Sequence, residues 1–389
     1  MTDVPAAVAA AFRSEWSKVV ATLIGWCGDW DLAEECTQEA FTEALRTWSR
    51  DGVPDRPGAW LTTVARRRAL DRLRRSRLAE EKLRSLPPPY PSHDQLSLIF
   101  TCCHPALAFE AQVSLALRTL LGLTTVELAR AFVVPEATMA KRLTRAKQKI
   151  RDAGIPYRVP PEHLLPERTA AVLGVVYLLF NEGYVSTAGS TLDRPQLREE
   201  AIHLAGLVVA LMPDDPEARG LLALLLLHQA RAASRTSADG TLIPLEEQDR
   251  STWDKALIGR GLSELRHAAR RERLGPYQLQ AMIAARHVTS EETDWPRIVE
   301  LYDALLAMVP SQTVALNRAI AVAMASGPAA GLAELSTLDH PYLPAAKADL
   351  LRRLGRTAEA AAQYREALSR TDNEGERRYL TRRLAEVER

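Results

Sequence analysis

The chain has 389 residues, of which 47% are hydrophobic, 25% charged and 6% aromatic, and its formal net charge is +1. This length predicts two or three domains, and the near-neutral total excludes any argument for nucleic-acid binding from net charge alone. Alanine, leucine and arginine dominate while aromatic and β-branched residues are sparse, so we predict an all-α fold.

Two proline-rich joints divide the chain. The first spans residues 87–91 (PPPYP) and the second runs from Gly154 to Pro166; proline lacks an amide donor and restrains the residue before it, so helices do not continue through either joint. We predict domains at residues 1–84, 94–152 and 167–389, with linkers at 85–93 and 153–166. No unbroken apolar run reaches ~18 residues, so no membrane span is expected. The absence of a signal peptide and of CxxC spacing favours a reducing cytoplasm.

The first segment carries an acidic stripe beside an apolar one. Residues 1–48 hold 8 acidic and 3 basic side chains. Apolar residues recur every four positions, which predicts the buried face of a helix: Leu32, Cys36, Ala40, Ala44 and Trp48. One position earlier lie Asp31, Glu35, Glu39 and Glu43. Like charges at this spacing cost about 0.2–0.5 kcal/mol per pair, so the stripe indicates a basic partner surface, with a solvated helix face as the alternative.

A strongly basic helix is predicted next. Residues 56–84 hold 10 Lys or Arg against 3 acidic residues. After a turn at residues 56–58, apolar residues at helical spacing alternate with arginines: Arg66, Arg67, Arg68, Arg72, Arg74, Arg75 and Arg77. Seven guanidinium groups on one helix repel each other unless phosphates compensate their charge. This helix is therefore expected to contact nucleic acid.

Residues 122–147 have the outline of a helix-turn-helix. We predict a short helix from Thr124 or Thr125, a turn at 132–134, and a second helix with Pro135 in its first turn. Met139, Leu143 and Ala146 should face inward. The outer face is predicted to hold Thr138, Lys141, Arg142, Arg145, Lys147 and Lys149. Such donors suit a major groove, although an ordinary helical hairpin has the same outline.

Together these segments resemble the sigma-70 family. The first resembles the helix by which that family's second domain grips the polymerase clamp helices: Ala33, Glu34, Glu35, Gln38, Glu39, Phe41 and Ala44. The basic segment is similar to the stretch that melts and reads the minus-10 element: Pro57, Ala59, Trp60, Leu61, Val64, Ala65, Arg66 and Asp71. Residues 122–147 resemble the minus-35 reader of the fourth domain. No third domain fits between residues 80 and 95, as in the extracytoplasmic-function type.

The resemblance implies three sets of binding residues. Core RNA polymerase would be bound by Asp31, Glu34, Glu35, Gln38, Glu39 and Glu43. The minus-10 element would be bound by Trp60, Arg66, Arg67, Arg68, Arg72, Arg74 and Arg75, with the loop at 49–56 capturing an unstacked base. The minus-35 element would be bound by Glu136, Thr138, Lys141, Arg142, Arg145 and Lys149. Arg67 stands where many relatives have asparagine, so a base-specific role of this residue stays open. Phe132 and Val133 stand where a glycine is common, so the geometry of the turn stays open.

The last segment shows helical-repeat spacing. The clearest unit resembles a tetratricopeptide repeat: Gly355, Ala360, Tyr364 and Ala367. The same spacing recurs more weakly at two other places, Tyr302 with Pro310 and Ala201 with Pro213. The resemblance is to sigma factors with a tetratricopeptide-like extension, in which a motif like residues 181–184 recurs; a tight turn between helices is the simpler interpretation of that motif. We expect a groove that binds a regulatory protein or peptide, or a surface that packs on the sigma domains.

No catalytic motif is present, so an enzyme is not expected. We predict that Cys102, Cys103 and His104 are buried at a helix start before Pro105 rather than ligating metal, and we expect no metal or other cofactor. The expected partners are core RNA polymerase, promoter DNA and a protein or peptide ligand of the repeats. Two alternatives stay open: an operator-binding regulator with the repeats as its sensor, and a scaffold whose basic helices bind RNA or nothing.

Overall fold

A computed structural model describes residues 3–75, 94–132, 134–184, 195–289 and 292–389. Every regular element in these ranges is a helix, which confirms the predicted all-α class, and the β pairing they contain is one isolated bridge between Thr236 and Leu242. The chain forms two compact units, residues 1–178 and 179–389. The proline joint at 87–91 and the predicted linker at 85–93 lie outside the described residues.

The first unit begins with three mutually packed helices, α1 (Val4–Cys27), α2 (Trp30–Asp51) and α3 (Pro57–Arg75). The side chain of Asp29 accepts a hydrogen bond from the Leu32 amide and so caps α2. Gly28 ends α1 with a φ of 66°, a conformation that glycine adopts without steric cost. The predicted turn at 56–58 is wrong beyond Arg56, because Pro57 already forms the first residue of α3.

Four more helices follow in this unit: α4 (Asp94–Cys102), α5 (Phe109–Leu121), α6 (Thr125–Ala131) and α7 (Glu136–Asp152). Both α4 and α5 pack on α1, and α7 packs on α5 and α6. The Trp16 indole N–H donates to the Thr119 carbonyl at 3.0 Å. Gly122 has a φ of 68°, and a Cβ there would lie 2.7 Å from the Phe12 ring. The segments predicted as the first and second domains therefore lie against each other in one compact unit.

A long helix, α8 (Leu165–Tyr184), follows the second joint, which is irregular over residues 154–161. The helical segment Glu162–Gly183 is long and apolar enough, by length and composition alone, to cross a membrane, and 44% of its most apolar stretch is buried. This segment has no unbroken apolar run of ~18 residues, because Glu167 and Arg168 precede its apolar stretch and Asn181 and Glu182 follow it. A buried core helix has the same composition, and Val172, Val176 and Phe180 are fully buried. The tight turn predicted at 181–184 is wrong, because these residues form the last turn of α8.

In the second unit each helix packs on the next one along the chain, as in a helical repeat array. The helices are α9 (Pro195–Leu211), α10 (Pro216–Gln229), α11 (Lys255–Ala269), α12 (Pro276–Thr289), α13 (Trp295–Met308), α14 (Gln312–Ser326), α15 (Pro328–Glu334), α16 (Leu343–Arg353), α17 (Thr357–Arg370) and α18 (Glu374–Val387). Gly355 turns the chain between α16 and α17 with a φ of 73°. Ala360, Tyr364 and Ala367, which carried the repeat spacing, are buried in one cluster with Ala348.

α10 organises the first part of this unit, because both α11 and α12 pack on it. Gly220 allows the close approach of α12: a Cβ there would lie 2.8 Å from the Gln278 backbone nitrogen. The carboxylate of Glu217 accepts hydrogen bonds from the amides of Tyr277 and Gln278 at 2.9 and 3.1 Å. Glu217 thereby caps the amino terminus of α12 from a neighbouring helix.

Candidate nucleic-acid and partner interfaces

Helix α2 buries most of its predicted apolar line and leaves every carboxylate except that of Glu34 at least partly exposed. Cys36, Ala40 and Ala44 are fully buried, whereas Leu32 is only half-buried. The burial of Cys36 raises the pKa of its thiol to about 11, so it stays uncharged beneath the acidic stripe. The residues proposed to bind polymerase differ in exposure: Asp31, Glu35 and Gln38 are exposed, Glu39 and Glu43 are half-buried, and Glu34 is buried.

The acidic stripe of α2 faces the arginine helix α3. Arg72 forms ion pairs with both Glu35 and Glu39, the second at 2.5 Å, and Arg68 lies 3.3 Å from Glu43. These pairs are partly exposed, so each stabilises the fold by no more than about 1 kcal/mol. They still explain in part how α2 tolerates carboxylates at every fourth position, since a neighbouring helix of the same domain supplies opposite charge.

The residues expected at the minus-10 element lie along α3 in different surroundings. Trp60 is half-buried edge-on against Trp48, with ring centroids 5.6 Å apart. The Arg66 guanidinium lies 5.3 Å from the centre of the Trp26 ring. Arg67 and Arg74 are exposed, while the side chain of Arg75 and the whole of Arg77 lie outside the described residues.

The loop expected to capture a base is shorter than residues 49–56. Ser49, Arg50 and Asp51 form the last turn of α2, so the connection comprises residues 52–56. Arg50 and Asp51 are joined by a bidentate ion pair with distances of 2.7 and 2.9 Å.

Helices α6 and α7 lie where the sequence predicts the two helices of a helix-turn-helix. Thr124 caps α6. Its hydroxyl accepts a hydrogen bond from the Glu127 amide, and the Glu127 carboxylate accepts one from the Thr124 amide, which forms a capping box. α7 starts at Glu136, directly after Pro135. Met139, Leu143 and Ala146 are buried as predicted.

The outer face of α7 is basic and open to solvent. Its exposed residues include Glu136, Thr138, Lys141, Arg145 and Lys149. The basic ones, with Thr138, line one side of a groove of ≈ 460 Å³ whose other side is formed by residues 106–108 and Ala111. Arg142 is half-buried and lies over the Phe132 ring at 5.4 Å. A phosphate or a base edge could therefore approach four donor-bearing side chains along this face.

Lys147 was predicted to lie on the outer face of α7, and that prediction is wrong. Its side chain is 7% exposed, and its ammonium group lies 2.8 Å from Asp31 and 3.1 Å from Glu34. Arg118 of α5 reaches the other oxygen of Glu34 at 3.1 Å. The sequence carried a signal for this burial, since Lys147 follows the buried Met139 and Leu143 at intervals of four residues.

The cysteines of α4 are buried but stand at the end of that helix. Cys102 is its last residue, so the predicted helix start is wrong. Burial raises the pKa of Cys102 to about 12 and that of Cys103 well above its usual range, which keeps both thiols protonated. Within the described ranges, no group of three His, Cys, Asp or Glu side chains is arranged to hold a metal ion.

Comparison with known proteins identifies two family segments and one full-length relative. Residues 12–78 match the model for sigma-70 region 2, and residues 168–269 match a family of unknown function, DUF6596. The uncharacterized protein R00370 of Rhizobium meliloti (strain 1021) is 39% identical over 398 aligned positions, which cover 96% of this chain and 94% of that protein. No solved structure matches the chain. The first match contains every residue of the candidate polymerase and minus-10 sets.

Proposed function

This chain belongs to one family with R00370, and its residues 12–78 match sigma-70 region 2. We propose on that basis that it is a sigma-70 family transcription-initiation factor, an alternative sigma factor of the extracytoplasmic-function type. Region 2 of that family binds core RNA polymerase and promoter DNA. In the proposed function the chain acts in the cytoplasm and directs polymerase to promoters with particular minus-10 and minus-35 elements. It needs no catalytic group of its own.

One observation carries the proposal: the region 2 match covers an acidic helix and an arginine helix that pack side by side. The exposed carboxylates of α2, with side chains of Asp31 and Glu35 that are 68% and 59% accessible, offer charge to a basic partner. Leu45 adds an apolar contact, since it is 45% exposed and lies seven residues after Gln38 on the same helix face. An exposed apolar side chain near exposed charges is typical of a protein-binding surface.

The exposed arginines of α3 support a role in holding the promoter backbone. Arg67 and Arg74 are open to solvent on the helix that bears Trp60. Guanidinium groups hold phosphates without regard to sequence, and an aromatic ring offers a surface on which an unpaired base stacks. In the proposed mechanism α3 and the loop at 52–56 hold the opened strand at the minus-10 element.

The exposed face of α7 supports contact with the minus-35 element. Thr138, Lys141 and Arg145 lie within two helical turns on one side of a helix that follows a turn, as in proteins that place such a helix in the major groove. Each module alone would bind weakly. Held by polymerase at a fixed separation, the two would recognise one promoter with higher affinity and in one register.

An operator-binding regulator would use α7 but not the first three helices. The match of residues 12–78 to region 2 therefore favours the sigma factor over this alternative. A scaffold protein would require neither the acidic face of α2 nor the basic face of α7.

The second unit is proposed to be a tetratricopeptide-like regulatory extension that binds an acidic amphipathic helix of a partner protein. α11 and α12 pack on α10 but contact each other little, which leaves a groove of ≈ 470 Å³. Its apolar lining includes Leu262, Leu265, Leu274 and Met282, and its rim includes Arg266, Arg273 and Arg286. Three arginines against one acidic lining residue, Glu272, favour an acidic occupant.

The polymerase contact is tested by charge reversal on α2. The double variant Glu35→Lys, Glu39→Lys should weaken binding to core RNA polymerase by at least about tenfold, because it replaces attraction by repulsion at the centre of the surface. The matched control, Glu110→Lys with Glu162→Lys, changes the same charge at exposed positions of the first unit. Binding is measured by fluorescence anisotropy with labelled protein. Equal affinity of both double variants would contradict the proposal.

A further inference from the structure

The second joint, at residues 154–166, forms one wall of a small basic pocket in the first unit. Residues of the joint line one side, and residues near the end of α4 and the start of α8 line the others. The described residues that line this joint pocket include Arg158, Arg168 and His104, and none of them bears a carboxylate. We propose that the joint pocket binds a small oxyanion, either inorganic phosphate or the phosphate group of a monoester. This site goes beyond the proposed function and does not depend on it.

The joint pocket has the size of a small ion. Its volume is ≈ 100 Å³, whereas pockets that enclose drug-sized ligands have roughly 300–1,000 Å³. Phe100, which is buried, Leu164 and three prolines form the apolar part of its wall. The side-chain donors that an occupant would meet are therefore those of the three basic residues. Apolar walls lower the local dielectric, which strengthens the attraction between these donors and an enclosed anion.

Both ring nitrogens of His104 face N–H groups. Nδ1 accepts a hydrogen bond from the Ala106 amide at 3.1 Å, and Nε2 lies 2.9 Å from a terminal nitrogen of Arg168. Burial and the charge of Arg168 lower the pKa of His104, so the ring is neutral at pH 7 and carries one proton. The bond from Ala106 assigns that proton to Nε2. The Nε2–H group and the Arg168 guanidinium are then two donors that meet without an acceptor, and an oxyanion beside them would accept from both.

Neither arginine of the joint pocket pairs with a carboxylate in the described ranges. Arg168 is half-buried and its guanidinium contacts His104, while the exposed Arg158 makes no side-chain hydrogen bond or ion pair there. Other half-buried arginines of the chain do have acidic partners, as Arg219 has in Glu264. Guanidinium groups match the oxygens of phosphate in geometry as well as in charge. Two unpaired guanidinium groups at one small pocket therefore favour an anion as its occupant.

The segments that carry the basic side chains are held in place by the surrounding structure. The buried side chain of Gln112 donates to the His104 carbonyl at 3.1 Å and so fixes the turn after α4. Tyr157 precedes Arg158 in the joint, and its hydroxyl donates to the Ala21 carbonyl at 2.9 Å. The start of α8 forms the third side, where the backbone amides of a helix carry partial positive charge. A site built in advance loses little conformational entropy when it binds an ion.

An anion in the joint pocket would connect three segments of the first unit: the turn after α4, the joint and the start of α8. An ion that binds the folded chain and not the unfolded chain stabilises the fold in proportion to its occupancy. Because Arg158 is exposed, the bond between Arg158 and Val159 is a cleavage site for trypsin. A bound oxyanion would engage the Arg158 side chain and so slow cleavage there.

Calorimetric titration of the full-length protein with inorganic phosphate, at constant ionic strength in chloride, tests the proposal. We expect saturable binding with a dissociation constant of about 1 mM or lower. A parallel titration with adenosine monophosphate identifies the source of the oxyanion. Tighter binding of the nucleotide would support the site with a monoester as its ligand, and equal or weaker binding would support it with free phosphate. Absence of saturable binding of both compounds would overturn the proposal.

Variants of the two arginines locate the binding site. Arg168→Gln should weaken phosphate binding by about tenfold, because it removes the guanidinium group that faces His104. Arg158→Gln changes an exposed side chain, so it should fold normally and weaken binding by a similar factor. The matched control Arg151→Gln removes one arginine from the exposed end of α7 and should bind phosphate as the wild type does. Wild-type affinity in both pocket variants would refute the site.

Limited proteolysis supplies a second readout that a general effect of phosphate on the protease would not produce. Phosphate should slow tryptic cleavage after Arg158 several-fold in the wild type and in Arg151→Gln, but not in Arg168→Gln, with the fragments identified by mass spectrometry. Equal protection of the wild type and Arg168→Gln would contradict the proposal. If Arg168→Gln does not fold, the affinities of Arg158→Gln and Arg151→Gln for phosphate decide.

Discussion

Replacing Glu34 by glutamine should destabilise the first unit far more than the same change at its neighbour Glu35. Glu34→Gln keeps the shape of the side chain but leaves Lys147 and Arg118 buried beside a neutral amide. Removing one partner of a buried ion pair costs about 3–5 kcal/mol. Lys147 retains Asp31 at 2.8 Å, which limits the cost, so we expect up to about 3 kcal/mol.

Unfolding followed by tryptophan fluorescence measures this effect. Of the seven tryptophans, five lie in the first unit: Trp16, Trp26, Trp30, Trp48 and Trp60. A loss of ~3 kcal/mol in a unit of this size corresponds to a melting temperature lower by about 6–12 °C. The control Glu35→Gln, at a side chain that is 59% exposed, should change stability by no more than about 0.5 kcal/mol. Equal melting temperatures for the two variants would refute the argument from burial.

Four further predictions concern other parts of the chain. Thr124→Ala removes the capping box of α6 and should lower the free energy of unfolding by about 1 kcal/mol in urea titrations, whereas Thr125→Ala should not. Lys141→Ala and Arg145→Ala should each weaken promoter binding. If the affinity falls equally for all DNA sequences, and the slope of log affinity against log salt concentration falls by about one, the residue contacts a phosphate rather than a base. Burial beside Arg231 and Arg250 lowers the pKa of His287 to about 4 from an ordinary value of 6.5, so the neutral imidazole stabilises the fold above pH 6.5, and up to about 3 kcal/mol is lost as the pH falls toward 4. Unfolding of the second unit at pH 7 and pH 4.5 should show a smaller difference for His287→Gln, and an equal difference would contradict this. Leu274→Asp, at a side chain 50% exposed in the α11–α12 groove, should alter reporter transcription in cells but not core binding in vitro; unchanged transcription would argue against the groove.

Periodicity and local side-chain chemistry predicted the helices but not which helices pack on each other. The four-residue spacing of Cys36, Ala40 and Ala44 identified the buried line of α2, because a helix buries residues in register with its own turns. The helix predicted from Thr124 or Thr125 begins at Thr125, where Thr124 and Glu127 form a capping box within four residues. Such signals act over short distances along the chain.

The features missed from the sequence depend on contacts between distant residues. Lys147 and Asp31 are 116 positions apart, and nothing in the composition of either helix specifies that they meet. A lysine on a basic helix is expected to be solvated, whereas here two carboxylates far away along the chain, those of Asp31 and Glu34, pair with Lys147. The capping of α12 by Glu217 crosses about 60 positions in the same way.

Two other predictions failed near the ends of helices. Residues 181–184 contain asparagine and glycine, which favour turns, yet hydrogen bonding within α8 keeps them helical. Pro105 suggested a helix start near Cys102, whereas the chain leaves α4 there and begins α5 at Phe109.

The most direct test of the account is transcription in a purified system. The full-length protein is mixed with core RNA polymerase from the same bacterium and a library of its genomic DNA fragments, and the 5′ ends of the transcripts are mapped. We predict transcripts from a small set of start sites that share two conserved elements, and loss of these transcripts with the Glu35→Lys, Glu39→Lys variant. Absence of any start site that depends on the protein would contradict the assignment.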